Sequence, residues 1–158
     1  MNLQLDIQKC SAQPTPTNDE ILCWVNAALV DRQRDTEISV RLVDREEMAR
    51  LNEAYRGKPG STNVLSFPSN LPRELALPLL GDIVICVPVV HQEAADQCKS
   101  PSAHWAHMTV HGILHLLGYD HLSDEEAQTM ESLETEILAS LDYPCPYKVH
   151  NPGETTPK

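Results

Sequence analysis

Residues 101–117, PSAHWAHMTVHGILHLL, restrict the fold of this chain more than any other stretch. Pro101 suits the opening turn of a helix, where its missing N–H leaves nothing unpaired. Beyond it Met108, Val110, Ile113, Leu114, Leu116 and Leu117 spread around nearly the whole circumference. A helix apolar on almost every side belongs in a core. Yet His104, His107, His111 and His115 also lie on it, within roughly 80° of one another at about 100° per residue. Buried imidazoles without partners are costly, so this stripe must find them.

The stretch continues as HGILHLLGYDH, residues 111–121. His111 and His115 are four apart, so both rings point at one centre from adjacent turns. Gly118 permits a sharp exit from the helix, and His121 can swing back as a third ligand. The spacing H-x-x-x-H-x-x-G-x-x-H is that of the metzincin zinc proteases. Three neutral nitrogens with a fourth position open describe a catalytic site for one Zn2+ per chain. The bland alternative is three core histidines satisfied by carbonyls, and the spacing with its glycine break weighs against it. For His104 and His107 three roles stay open: support behind the ligands, contact with substrate, or ordinary core packing.

A metalloprotease would carry its general-base glutamate directly after the first ligand, where this chain has Gly112. Without that carboxylate the usual route of peptide hydrolysis has no proton acceptor. A glycine inside a helix costs about 1 kcal/mol relative to alanine, so the freed space serves close packing or a bulky substrate. Phosphodiester cleavage remains open to a metal that activates water and polarises a phosphoryl oxygen. It also needs a cation for the anionic transition state, which points to arginine. The candidate is Arg56 in YRGK, at a helix-to-loop break within a segment, 56–80, whose local charge is +2. An ordinary basic loop explains that charge equally well.

The remaining sequence organises around this helix as a single α+β domain over residues 1–142. Leu3, Leu5 and Ile7 alternate with polar residues as a strand does, and so do Ile38, Val40 and Leu42 within 36–43. Residues 18–31 read as a capped amphipathic helix. Asp44 and Glu47 form a capping-box pattern for a short helix carrying Met48, Leu51 and Tyr55. NVLSF reads as a third strand, residues 68–80 as an irregular loop, and GDIVICV as a buried fourth strand. Pro88 opens a helix to about Gln97. Ser123 with Glu126 caps a last helix whose stripe is Met130, Leu133, Ile137 and Leu141. The expectation is a mixed four-stranded sheet flanked by about five helices, with a proline-rich tail, 143–158, that has no assigned role. Among the five cysteines none stand as C-x-x-C, and Cys23 and Cys86 read as small buried hydrophobes. No run of 18 apolar residues and no signal peptide is present, so a cytoplasmic protein without a membrane partner is expected.

Three stretches together resemble the YbeY family of bacterial metal-dependent endoribonucleases. They are LNEAYRGKPGSTNVLSFP (51–68), LLGDIVIC (79–86) and HWAHMTVHGILHLLGYDH (104–121). The resemblance implies single-strand-specific cleavage of RNA in 16S ribosomal RNA 3′-end maturation and in ribosome quality control. Its partners would be ribosomal RNA, the ribosome and ribosome-assembly proteins. It implies zinc on His111, His115 and His121, an essential arginine at Arg56, and a sheet of about four strands. Two other classes compete: a metal-stabilised ribosome-assembly factor without catalysis, and a metallohydrolase of a small ester or amide.

Net charge is the feature that sits worst with RNA, because 12 Lys and Arg face 23 Asp and Glu, a formal −11. Eight of the acids fall in 120–142, without Lys or Arg, and read as the solvated outer face of one helix. Before residue 60 eight basic side chains meet ten acidic ones, a balance of −2. Such a chain suits a site-restricted nuclease and not a protein that coats RNA.

Overall fold

Alternation in the strands and helical periodicity elsewhere produce the expected α+β architecture. The structure, a computed structural model, describes residues 2–29, 32, 34–69, 75 and 77–147. In chain order the elements are β1 (Leu3–Cys10), α1 (Asn18–Ala28), β2 (Thr36–Val43), α2 (Arg45–Arg56), β3 (Val64–Pro68), β4 (Leu79–Cys86), α3 (Val87–Asp96), α4 (Pro101–Leu116) and α5 (Asp124–Ser140). The sheet order is β1-β2-β4-β3, with β1, β2 and β4 parallel and β3 antiparallel against β4.

On β2, Ile38, Val40 and Leu42 are buried while Glu37, Ser39 and Arg41 turn the other way. A one-residue slip would exchange the two sets, at about 1.5–3 kcal/mol for each apolar side chain lost from the core. Register is therefore set by β2 itself. β4 needs no such alternation because both its faces are covered. Ile83 and Ile85 join the main core with α1, α4 and α5, and Val84 and Cys86 join a smaller core with Met48 of α2 and Leu65 of β3.

Two of the three expected N-caps form, one as a complete box and one as half of the expected box. Thr17 makes a complete capping box with Glu20, and Ser123 accepts the Glu126 N–H at 3.1 Å. The box at Asp44 does not form: its side chain makes no bond to the helix, and its carboxylate accepts the Ser11 hydroxyl instead. Glu47, the other half of that box, pairs with Arg41 at 2.6 Å. Both groups found partners on neighbouring strands or their ends, and those replaced the local ones.

Other expectations shift as well. Cys86 is buried, but Cys23 is exposed, because α1 buries Ile21, Trp24, Val25 and Ala28 and leaves Cys23 off that stripe. The helix expected over 18–31 ends at Ala28, and residues 30 and 31 lie outside the described ones. So do Arg73 and Glu74 of the basic loop, and residues 148–158 of the tail. The described start of that tail packs back on the domain: Tyr143 lies against the core, and the Lys99 ammonium donates to the Pro146 carbonyl at 2.9 Å. Among the described residues no helix is long and apolar enough to cross a membrane.

Candidate metal centre

α4 positions the centre. Ser100 caps it by accepting the Ala103 N–H at 3.1 Å, Pro101 fills its first turn, and everything from His104 to Val110 is buried. Gly112 explains how so thick a helix lies so close to the sheet. A Cβ there would meet Ile83 Cγ2 and Val64 Cγ2 at 3.2 Å, and the Ser66 hydroxyl donates to the Gly112 carbonyl at 2.9 Å. The missing side chain serves close packing on β3 and β4.

The helix ends in a Schellman motif. Gly118 has φ +104, its N–H donates to the His115 carbonyl and the Tyr119 N–H donates to the Leu114 carbonyl, both at 3.1 Å. That left-handed residue reverses the chain within three residues and returns His121 to the last turn. Ligand nitrogens of His111, His115 and His121 all lie within 4.8 Å of one another. His111 Nε2 and His115 Nε2 are 3.1 Å apart, and the His121 ring centroid is 5.2 Å from that of His115. Burial rises inward, with His121 57% exposed in its side chain and His111 only 22%. One side of the centre is thus open to solvent.

Glu134 of α5 supports it from behind. This residue belongs to the acidic block read as a solvated face, but it is 1% exposed and corrects that reading. Its carboxylate lies 3.0 Å from His111 Nδ1, 2.9 Å from His107 Nε2 and 2.6 Å from the Tyr147 hydroxyl. Burial pushes its pKa up, but the bonds from His107, His111 and Tyr147 outweigh burial and hold it down at about 2. An ionised carboxylate only accepts, so His111 donates from Nδ1 and turns the lone pair of Nε2 toward His115. Burial and the neighbouring rings of His111 and His121 lower the pKa of His115, which disfavours its charged form. Three imidazoles whose nitrogens converge at an open rim fit a divalent metal ion.

His107 and His104 work differently. His107 Nε2 binds Glu134, and His104 Nε2 lies 2.9 Å from the Glu93 carboxylate. Burial depresses the pKa of His107 against the opposing pull of Glu134. The atoms of His107, His111 and Glu134 also lie within 4.8 Å, but their short contacts are hydrogen bonds to one another.

Arg56 is the last residue of α2, exposed, and followed by Gly57 at φ +68. Among the described residues its side chain makes no hydrogen bond or ion pair. Tyr55 beside it sits edge-on to Phe67 of β3, centroids 4.4 Å apart. The structure brings the three histidines to one centre, and no contact joins Arg56 to them. Glu134 and Tyr147 were missed in the sequence. The signal for Glu134 was its place between Met130 and Leu138, four residues from each buried neighbour. Nothing local marked Tyr147.

A family model described as endoribonuclease YbeY matches residues 6–142. The chain belongs to the YbeY family. Proteins named endoribonuclease YbeY include one from Pseudomonas putida strain W619, 54% identical over 92% of this chain and 93% of its own length. Another, from Pseudomonas fluorescens Pf-5, is 52% identical over 92% of this chain and 96% of its own. A YbeY protein of Stutzerimonas stutzeri A1501 is 51% identical over 95% and 94%. A solution structure from Thermotoga maritima superposes with a TM-score of 0.58 at 22% identity, covering 92% of this chain and 99% of its own. At that identity the likeness speaks for the fold alone. The YbeY match stops at Asp142, just before the segment that delivers Tyr147.

Proposed function

We propose that this chain is a zinc-dependent endoribonuclease of single-stranded RNA. Its place is the cytoplasm, in 16S ribosomal RNA 3′-end maturation and ribosome quality control, in contact with the ribosome and its assembly proteins. The observation that carries the reading is the convergence of His111, His115 and His121 at a solvent-open rim, backed by the buried Glu134. It occurs in a chain more than half identical to proteins named as endoribonucleases.

In this reading His111, His115 and His121 hold the metal, and their neutrality leaves its positive charge intact for a phosphate. A bound zinc ion supplies Lewis acidity and lowers the pKa of water near it. Glu134 keeps the His111 ring in one tautomer and orientation. Arg56, which pairs with no carboxylate among the described residues, neutralises the charge that builds on the phosphoryl oxygens.

The test measures metal content by mass spectrometry, melting temperature and cleavage of single-stranded RNA for the parent, His111→Ala and Arg56→Ala. His111→Ala loses metal and activity together. Arg56→Ala keeps its metal and loses about 10²-fold or more in rate, the scale of removing one transition-state donor. Parent-like cleavage by Arg56→Ala removes the arginine from the mechanism. Loss of fold with the metal, and no activity to lose, favours the assembly-factor reading.

A further inference from the structure

We infer that Tyr147 is a positioning residue for the metal centre, its hydroxyl closing the Glu134 carboxylate that orients His111 and so setting how tightly metal is held. The inference rests on the reading of His111, His115 and His121 as ligands.

A buried carboxylate is stable only when its oxygens are occupied by donors. Glu134 has three, and two of them, His107 and His111, come from α4. The third comes from beyond the last helix. Leu141 caps the end of α5, Asp142 takes φ +66, and the Tyr143 N–H returns to the Leu138 carbonyl at 2.9 Å, which doubles the chain back. Lys99, just before α4, grips the Pro146 carbonyl at 2.9 Å. The next residue, Tyr147, lays its ring edge-on to His107 with centroids 5.4 Å apart and reaches both Glu134 oxygens, at 2.8 and 2.6 Å.

These are the shortest contacts the carboxylate makes, and the one at 2.6 Å lies in the range of charge-assisted O–H···O bonds. Tyr147 is 42% exposed, so its ring covers the carboxylate from the solvent side. Without the hydroxyl, Glu134 keeps only the two histidines and is free to turn toward water, away from His111 Nδ1. Partners behind a metal-binding histidine change metal affinity by about 10–100-fold when lost. The five residues after Asp142 thereby become part of the centre.

Tyr147→Phe tests this while keeping the ring. Zinc affinity is measured by competition with a chromophoric chelator, the centre's geometry by the visible spectrum of the cobalt-substituted protein, and stability by melting with and without zinc. The expected result is a dissociation constant about 10-fold higher, an altered cobalt spectrum, and a smaller zinc-dependent rise in melting temperature. Equal losses in the zinc-free and zinc-loaded melting temperatures, with affinity within twofold of the parent, would show a merely structural tyrosine and overturn the inference. His115→Ala separates the two levels. If it loses zinc while Tyr147→Phe binds like the parent, the inference fails and the ligand reading stands. If His115→Ala binds zinc like the parent, both fail.

Discussion

Glu93 and Glu134 are acids that α4 histidines hold in their charged form, and they show what a residue's partners do to its titration. Hydrogen bonding to His104 is the largest influence on Glu93; it lowers the pKa against burial, and Asn63 adds to it. A depressed carboxylate contributes stability that is fully present above its unfolded pKa, near 4.5, and is lost as pH falls through the folded value. The parent's advantage over Glu93→Gln in urea unfolding should therefore shrink as pH falls below about 4.5. An advantage that stayed unchanged down to about pH 3 would contradict the pairing. At this scale the sequence showed the histidines and not their acids. Helical spacing states which side chains share a face; it does not state that Glu134, 23 residues after His111, shares their pocket.

Elements were more legible than residues, and their departures have one cause. Thr17 caps α1 with no competitor, so Thr17→Ala should cost about 1 kcal/mol by chemical denaturation. Asp44 looked equivalent in sequence, but Ser11 at the end of β1 takes its carboxylate and Arg41 takes Glu47. Gly112 carries the sharper prediction. Helix propensity alone favours alanine there by about 1 kcal/mol. The 3.2 Å approaches of Ile83 and Val64 oppose it, and forcing a methyl into a packed interface costs about 1–3 kcal/mol. Gly112→Ala should leave the protein no more stable, and up to about 2 kcal/mol less so. A clear gain in stability would mean that the helix does not rest on β3 and β4 as described.

On the scale of the whole molecule the charge decides how RNA is met. Six of the eight acids in 120–142 are exposed, Asp120 is half-buried and Glu134 is spent internally, so that region repels phosphate. Among the described residues of the basic segment 56–80, Arg56 and Lys58 are the exposed cations that can contact a strand. Each phosphate neutralised on single-stranded RNA contributes about −0.7 to the slope of log affinity against log salt. Binding to the metal-loaded protein should show a slope shallower than about −2, measured by fluorescence anisotropy across a salt series. A steep slope would point to a broad basic surface and contradict this reading. Chelation supplies the companion test: removing a bound metal should lower the melting temperature, since any ligand of the native state alone stabilises it.

By itself the sequence determined the strand and helix order, the burial of α4, the shared face of His111 and His115, and the glycine that returns His121. All of these are written in periods of two or about four residues and in the φ preferences of single residues. The tertiary structure alone decided that Glu134 and Tyr147 stand behind the histidines, that Gly112 is room for the sheet, and that Asp44 serves Ser11. Each of those is a choice between partners far apart in the chain. A local pattern states that a polar group needs a partner; only the folded packing determines which one arrives.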